Sequence, residues 1–377
     1  MIKNNLKRIA LIALFATAMV SCKDKNMEEE FDWSGNISGP KEYPMEVYKG
    51  YLSGGGHFFG FSEMGGFDNT GWGMATSGIS PIHAPVPDTL VMTWRSLVER
   101  KFYTGEWALP KEKMKQLFKE GIVDPDTKMK ELYDLIQLGL APKGVIIVWL
   151  SGTSGTQVEV GRFQGHETTI DPKDAYDNAK YMFEPDYIDD MLANEMIITP
   201  EIKEKIKQDG YPLPDVYDTY REKYLWIPKV ILPEGCKITT IAINMCNGEK
   251  EDIPLSQKNR AIPYGFQIFW ENPLEIDKTD EEKTAQQYVC RIAFTGDKKY
   301  WAKYLEPYGD DGLPLDFDKN EIRTLLKDKI DKNVPAVMVI KIDPTQKEDN
   351  QWVTDFYIEQ SGQKYPIKEI NQDSGKY

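Results

Sequence analysis

Three histidines are the first residues to consider for chemistry, because an imidazole ring can bind zinc or act as a general base. They are His57, His83 and His166. No two of them stand at the spacing that brings metal ligands together on one helix or hairpin, and the sequence has no C-x-x-C pair. We therefore predict no metal site, no cofactor and no catalytic residue.

The segment Gly152-Thr153-Ser154-Gly155 is the nearest match to a nucleophile elbow, in which a strained turn between a strand and a helix exposes a catalytic serine. The last glycine comes one position too early, and an alternating polar strand follows where the helix should be. No histidine is placed to act as the base. A plain hairpin turn is the better interpretation.

Acidic side chains form two clusters that could be considered as ion sites. Their members are Asp186, Asp189 and Asp190 in the first cluster and Asp310, Asp311, Asp316 and Asp318 in the second. Neither matches the spacing of a calcium-binding EF-hand loop, so solvated acidic surface is the favoured interpretation. A pair of carboxylates for hydrolysis is assembled only in three dimensions, and a hydrolase of that kind stays open as an alternative.

A glycine-rich segment, residues 53–80, is the first candidate for a binding surface. Nine glycines are interleaved there with Phe58, Phe59, Phe61, Phe67 and Trp72. Glycine at this density does not specify one backbone, and long loops often carry function. In the opposite interpretation the rings fold back and cap the core, because large aromatic side chains are mostly buried.

The central strand that must support these residues starts at Leu90. Leu90, Met92 and Trp94 alternate with polar residues, which is the period of a strand with one buried face. Downstream of it, the pair Thr104-Gly105 is predicted to turn the chain.

Helices and a hairpin are predicted next. Pro110 is expected to open a helix that Gly121 ends, and residues 127–138 carry apolar side chains at helical spacing. Residues 144–150 form an unbroken apolar run, typical of a strand covered on both faces. This strand is predicted to form a hairpin with residues 156–163.

Residues 171–225 differ in character from the rest. Asp171-Pro172 and Thr199-Pro200 each place a capping residue before a proline, which predicts helix starts in a segment rich in tyrosine and acid. Strands resume at Trp226, and residues 318–330 are expected to form an amphipathic helix among them.

This order of strands and helices predicts an α+β fold with mainly antiparallel, sandwich-like sheets, a helical insert and short flanking helices. No repeat of fixed period is visible. The predicted organisation comprises a signal peptide (1–21), an acidic tether (22–32), an N-terminal β-rich lobe (33–170), the helical insert (171–225) and a C-terminal β-rich lobe (226–377). The two lobes are either separate or one continuous domain.

The N-terminus has the features of a lipoprotein signal. Lys3, Lys7 and Arg8 precede a short apolar run that ends just before Cys22. That run is shorter than the ~20 residues that a membrane-spanning helix needs. We predict cleavage before Cys22, attachment of lipid to this cysteine, and a location in the cell envelope, at the outer membrane of a Gram-negative bacterium.

The chain is acidic, with a formal net charge of −14 that becomes −17 once the three cations of the signal are removed. Such a surface repels nucleic acid and anionic headgroups. We therefore expect no nucleic-acid partner, and contact with the membrane through the lipid only.

Three cysteines remain after Cys22. Cys236 and Cys246 lie at the two ends of one predicted strand, about 33 Å apart, far beyond the separation that a disulfide allows. Cys290 could reach one of them from a neighbouring strand, and three free thiols are the alternative.

Several of these segments together resemble a known family. They are Cys22 with its signal, Trp33, the strand after Tyr43-Pro44, residues 93–110 (TWRSLVERKFYTGEWALP) and residues 139–152 (GLAPKGVIIVWLSG). The chain is similar to domain-of-unknown-function family 2931, uncharacterised bacterial lipoproteins, and most closely to its longer Bacteroides-type members. The resemblance implies that it could be an immunity lipoprotein that blocks a secreted phospholipase-type toxin.

The leading hypothesis from the sequence is a lipid-anchored protein-binding module without enzymatic activity, which contacts its partner through the aromatic residues of segment 53–80. Aromatic rings among glycines suit an interface because they offer large contact areas. A surface lipoprotein that binds glycans by aromatic stacking is the alternative, and the carboxylate hydrolase is the third.

Overall fold

The computed structural model describes residues 28–61, 67–68, 71–74, 78–123, 129–152, 155–252, 256–276, 284–296, 313–314, 316–345 and 350–376. The predicted signal, Cys22, Asp310 and Asp311 lie outside these ranges. In the described part of the chain, no helix is long and apolar enough to cross a lipid bilayer.

The first β unit comprises residues 30–168 and contains thirteen described strands and one α-helix. The strands are β1 Glu30–Ser38, β2 Met45–Gly54, β3 His57–Gly60, β4 Phe67–Asp68, β5 Gly78–Pro85, β6 Thr89–Ser96, β7 Lys101–Ala108, β8 Ile122–Val123, β9 Lys130–Glu131, β10 Tyr133–Ala141, β11 Val145–Gly152, β12 Gln157–Gln164 and β13 His166–Thr168. Helix α1, Lys111–Glu120, follows Pro110 and ends at Gly121, as predicted.

The insert, residues 172–219, is helical but broken into short pieces. Its α-helices are α2 Tyr187–Ala193, α3 Pro200–Asp209 and α4 Val216–Thr219, and its 3-10 turns are Pro172–Asp174 and Asp177–Phe183. The predicted caps are confirmed: the side chain of Asp171 accepts from the Lys173 amide, and that of Thr199 accepts from the Ile202 amide.

The second β unit comprises residues 224–376. Its strands are β14 Tyr224–Ile231, β15 Lys237–Met245, β16 Lys250–Asp252, β17 Lys258–Arg260, β18 Pro263–Ile276, β19 Ala285–Ala293, β20 Ala336–Ile342, β21 Val353–Gln360, β22 Gln363–Pro366 and β23 Asn371–Lys376. Helix α5, Glu321–Lys329, follows a 3-10 turn at Phe317–Lys319 and starts where the Asn320 side chain accepts from the Ile322 amide.

Three large sheets hold nearly all of these strands. A ten-stranded sheet has the order β23-β19-β18-β15-β16-β12-β11-β10-β1-β5, a second has the order β13-β7-β6-β2-β3, with β4 also on β2, and a third has the order β17-β14-β20-β21-β22. Most pairs are antiparallel, and β1 with β10 and β14 with β20 are parallel. The prediction of an α+β, mainly antiparallel fold is confirmed.

The two units repeat one topology. In chain order, β1, β2, β3, β5, β6, β7, α1, β10, β11, β12 and β13 correspond to β14, β15, β16, β17, β18, β19, α5, β20, β21, β22 and β23. Apart from the pairing of β12 with β16, these corresponding strands have corresponding neighbours in their sheets, including the parallel pair. The repeat therefore lies in the fold, although the sequence shows no repeat of fixed period.

The units are joined edge to edge, where β12 of the first unit pairs with β16 of the second through Gln157 and Lys250. Buried side chains secure this joint. The Trp149 indole donates to the Asn247 carbonyl at 3.1 Å, and the Gln157 amide donates to the Gly73 carbonyl at 3.0 Å and to the Gly248 carbonyl. The ten-stranded sheet thus runs through both units.

One hydrophobic cluster fills both units. Leu90, Met92 and Trp94 are fully buried, which confirms the predicted buried face of their strand. All residues from Val145 to Leu150 are buried as well, as expected for a strand covered on both faces. The hairpin of β11 and β12 also forms as predicted.

The turn predicted at Thr104-Gly105 is wrong. The chain turns at residues 97–100 instead, where Arg100 has a φ of 55°, and both predicted turn residues lie within β7. A Cβ on Gly105 would stand 2.2 Å from the Trp107 ring. This glycine therefore makes room for an aromatic side chain, and does not bend the backbone.

The helix predicted over residues 127–138 is also wrong, because its described part forms β9 and the start of β10. From Ile136 to Ala141 every residue of β10 is buried. A strand with two buried faces lacks the alternation that identifies a strand, so its apolar residues can fall by chance at helical spacing.

The three described cysteines are free thiols. Burial raises the pKa of Cys246 and of Cys290 to about 12, so both are held as neutral, unreactive core residues. Cys236, at the start of β15, is partly buried.

Candidate functional site

The predicted aromatic surface is divided by the structure. Phe58 is 74% exposed, whereas Phe61 and Trp72 are buried. Phe59 is half-buried with its ring edge-on to Trp33 at 4.9 Å. Phe61 and Trp72 therefore belong to the core, which corrects the prediction that both face a partner. The backbone of Phe67 lies in β4, and its side chain lies outside the described part of the molecule.

A concave site lies between the insert and the second unit. We call it the insert groove, and its volume is about 370 Å³. It is bounded by the end of α3, the segment 210–216, α5 and the loop between β1 and β2. This is within the size range of ligand sites in proteins.

Glu42 lies in the groove, on the loop between β1 and β2. The Tyr217 hydroxyl donates to its Oε2 at 3.2 Å. Burial raises the pKa of this carboxyl above the ordinary range, although the hydrogen bond from Tyr217 opposes the shift. Glu42 is thus a carboxyl group in an environment that favours its protonated form.

Asp318 also lines the groove, and its surroundings are different. Its Oδ1 accepts from the Tyr220 hydroxyl at 3.0 Å and lies 3.5 Å from Nε of Arg323. The Arg323 guanidinium stacks over the Tyr220 ring at 4.8 Å and donates to Thr219 Oγ1 at 2.9 Å. Asp318 thus has a hydroxyl group and a guanidinium group beside it, whereas Glu42 has the Tyr217 hydroxyl, so the two acids of this site differ in their contacts.

An ion pair connects the two walls of the groove. Lys319 Nζ, which precedes α5, lies 2.7 Å from Asp209 Oδ1 at the end of α3, and Lys205 contacts the other oxygen of Asp209. Hydrogen bonds from Lys205 and Lys319 lower the pKa of Asp209 to about 2.

We expect this contact to depend on pH with a defined sign. The folded pKa of Asp209 lies below the unfolded value of about 3.9, so the contact stabilises the fold above pH ~4 and is lost as the pH falls through about 2. An NMR titration of the Asp209 carboxyl should give a midpoint near 2, and Lys319→Ala should raise it. Lys203→Ala, whose ammonium group contacts the Ala193 carbonyl, should leave it unchanged. An unchanged midpoint in Lys319→Ala would show that the ion pair between Lys319 and Asp209 does not form in solution.

The rim of the groove is apolar. Leu213 is 75% exposed and Tyr211 is 39% exposed, on a segment that the Tyr43 hydroxyl holds by donating to the Pro212 carbonyl. Tyr43 also packs on Tyr211 and Tyr217, with ring centroids 5.4 and 6.2 Å apart. Exposed apolar side chains on a fixed backbone are suited to contact a partner.

The residues first considered for metal chemistry are not brought together. His83 pairs with Asp32 at 2.8 Å on the β1 and β5 strands, while His57 and His166 lie on β3 and β13. Among the described residues, no group of three or more His, Cys, Asp or Glu side chains is arranged to hold a metal ion.

One member of each predicted acidic cluster is bound by protein donors that do not line the groove. Asp189 pairs with Arg100, and Asp316 accepts from Thr295 Oγ1 at 2.7 Å and from the Gly296 amide at 3.0 Å. Thr153 and Ser154 lie outside the described residues, and the flanking strands form the predicted hairpin.

The groove itself was missed by sequence reasoning. Its residues come from three distant segments, so no local spacing marks them. The one available signal was the density of tyrosine and acid in residues 211–220 (YPLPDVYDTY), which contributes the rim and the two buried tyrosines that donate to Glu42 and Asp318.

A family model described as "Protein of unknown function (DUF2931)" matches residues 21–214, which comprise the first unit and most of the insert. No curated protein and no solved structure matches the chain.

Proposed function

The chain belongs to the DUF2931 family, and on this premise we propose that it is a lipid-anchored envelope protein that binds another protein in the insert groove. The observation that carries the proposal is the rim of the groove, where Leu213 and Tyr211 are exposed on a backbone held by Tyr43. Large apolar side chains beside charged groups are the usual composition of an interface centre and its rim.

Charge supports a protein ligand over an apolar small molecule. The walls carry both signs, with Asp209, Lys319 and Lys327 among the lining residues. Such a mixture fits a partner surface with complementary charges and sets its orientation. Within this proposal, the specific partner is a secreted phospholipase-type toxin, which the protein would block while held at the membrane through Cys22.

The test uses the purified protein and a phospholipase-type toxin encoded beside its gene. Leu213→Asp places a charge at the rim and should weaken binding by roughly 30-fold or more, as for a residue at an interface centre. Met196→Asp is the matched control, since Met196 is 85% exposed on the same insert but does not line the groove. Calorimetry would measure the affinity of each variant for the toxin. An assay of phospholipase activity would measure how strongly each variant inhibits the toxin.

Two outcomes would contradict the proposal. One is equal binding by Leu213→Asp and Met196→Asp, which would place the interface elsewhere. The other is that the protein binds no phospholipase-type toxin encoded beside its gene, which would contradict the proposed immunity function.

A hydrolase is the second candidate, favoured by the convergence of Glu42 and Asp318 in one groove. Glu42 has a raised pKa caused by burial, and Asp318 lies beside Arg323. Two carboxyl groups in contrasting environments are the arrangement of an acid and a base in glycoside hydrolysis.

In that reaction Glu42 would donate a proton to the leaving oxygen and Asp318 would act as base or nucleophile. Hydrolysis of a panel of chromogenic glycosides should then fall by at least about 100-fold in Glu42→Gln. It should be unchanged in Asp186→Asn, a change on the insert outside the groove. Absence of turnover across the panel would dismiss this candidate.

A further inference from the structure

The topological repeat relates the sheet edges of the two units. Strand β12, the outer neighbour of β11, corresponds to β22, the outer neighbour of β21. Strand β16, on the outside of β15, corresponds to β3, on the outside of β2. Within the chain, β12 pairs with β16. Strands β22 and β3 are therefore the counterparts of two strands that are hydrogen-bonded to each other.

Neither counterpart is paired in this way. In the described part of the chain, β22 ends the five-stranded sheet and β3 ends its own sheet. We propose that β22 of one chain pairs with β3 of a second copy, repeating between chains the joint that β12 and β16 make within the chain.

At Lys364, the backbone of β22 is oriented for such a pairing. Ser361 and Gly362 have φ values of 52° and 79° and connect β21 to β22 as a two-residue turn. In a hairpin of this type the closing pair, Gln360 and Gln363, exchanges hydrogen bonds. The next residue, Lys364, therefore points its N–H and C=O away from β21, toward the free edge.

Strand β3 has the same geometry. Gly55 and Gly56, with φ values of 58° and 84°, form the two-residue turn from β2, and Phe58 stands opposite Ser53. The Ser53 carbonyl accepts from the Asp88 amide at 2.8 Å, so its backbone faces away from β3. The N–H and C=O of Phe58 consequently face the free edge, as those of Lys364 do.

Side chains at the two edges support contact. Phe58 is 74% exposed, with its ring 5.6 Å from Tyr51. An edge lysine ordinarily discourages pairing, but Lys364 lies over its own neighbour, with Nζ 4.4 Å from the Tyr357 ring centroid and 3.2 Å from its hydroxyl. The exposed Phe58 ring on β3 can then pack across the joint.

A contact between two different edges is heterologous, so it builds rings or open chains of molecules. The formal net charge, −17 for the chain from residue 22, opposes association of identical copies. Salt screens this repulsion, so association should increase with ionic strength.

Sedimentation equilibrium of the chain from residue 22, with Cys22→Ser, should show a mass above the monomer that rises with protein and salt concentration. Lys364→Pro removes the outward N–H and should give a monomer, whereas Lys364→Ala keeps the N–H and should still associate. Phe58→Pro should give a monomer, and Phe58→Ala should weaken association only by roughly two- to fivefold.

Mixing the two proline variants separates loss of an edge from loss of folding. Lys364→Pro keeps an intact β3 and Phe58→Pro keeps an intact β22, so together they should form a 1:1 complex and nothing larger. A wild-type chain that stays monomeric at all accessible concentrations would overturn the proposal. So would a mixture that stays monomeric although both variants melt like the wild type.

Discussion

Replacing Trp149 with alanine is expected to lower the free energy of unfolding by about 3–5 kcal/mol, the range for a fully buried tryptophan. Its side chain is 0% exposed, lies 5.2 Å from the Trp72 ring and donates to the Asn247 carbonyl at 3.1 Å. The change therefore opens a cavity and leaves a buried carbonyl of the second unit without its donor.

Urea denaturation measures this effect directly. Leu274→Ala is the matched control, because Leu274 is 85% exposed and its truncation should change stability by no more than about 0.5 kcal/mol. Because Trp149 secures the joint between the units, its loss should also separate their unfolding into two transitions. Equal costs for the two variants would mean that the joint contributes little.

Arg260→Leu is expected to cost about 3 kcal/mol, because it leaves a mostly buried carboxylate with one partner fewer. Arg260 is 1% exposed and donates to both oxygens of Glu251, at 2.7 and 3.0 Å. It also donates to the Trp226 carbonyl at 2.6 Å. The cost lies at the low end for buried pairs because Lys258 still contacts Glu251 at 2.8 Å.

The pH dependence of this cost has a definite sign. Burial raises the pKa of Glu251, but hydrogen bonds from Arg260 and Lys258 outweigh it and lower the pKa overall. A lowered pKa stabilises the fold above the unfolded value, and that stability is lost as the pH falls through the folded pKa. The difference between wild type and Arg260→Leu should therefore stay nearly constant from pH 7 to about pH 5 and shrink as the pH falls below the ordinary glutamate pKa of 4.5.

A double variant tests the mechanism. Arg260→Leu with Glu251→Leu removes both charges and should recover much of the lost stability, since apolar replacement of a buried pair is often tolerated. If the double variant were less stable than Arg260→Leu alone, the buried charge of Glu251 would not be the cause of the loss.

Local sequence patterns correctly predicted the strands and helix caps whose conformation is set by a single local interaction. The alternation from Leu90 to Trp94 identified a strand because one face meets the core and the other meets solvent. The caps at Asp171 and Thr199 were predictable because a side chain satisfies a neighbouring amide, with no help from distant residues.

The sequence predictions were wrong where tertiary contacts determine the conformation or burial of a residue. Gly105 was interpreted as a turn residue, yet its lack of a side chain serves Trp107. The start of β10 was interpreted as helical because burial on both faces removes its alternation. Phe61 and Trp72 were predicted to bind a partner, but both side chains are buried in the hydrophobic core.

The sequence by itself determined the acidic character of the chain, its α+β class and its family, because composition and short-range pattern carry that information. The tertiary structure alone decided the topological repeat, the joint of β12 with β16 and the groove of Glu42 and Asp318. Each of these brings together side chains or edges that are far apart along the chain. Such contacts depend on how the sheets pack, which no local spacing records.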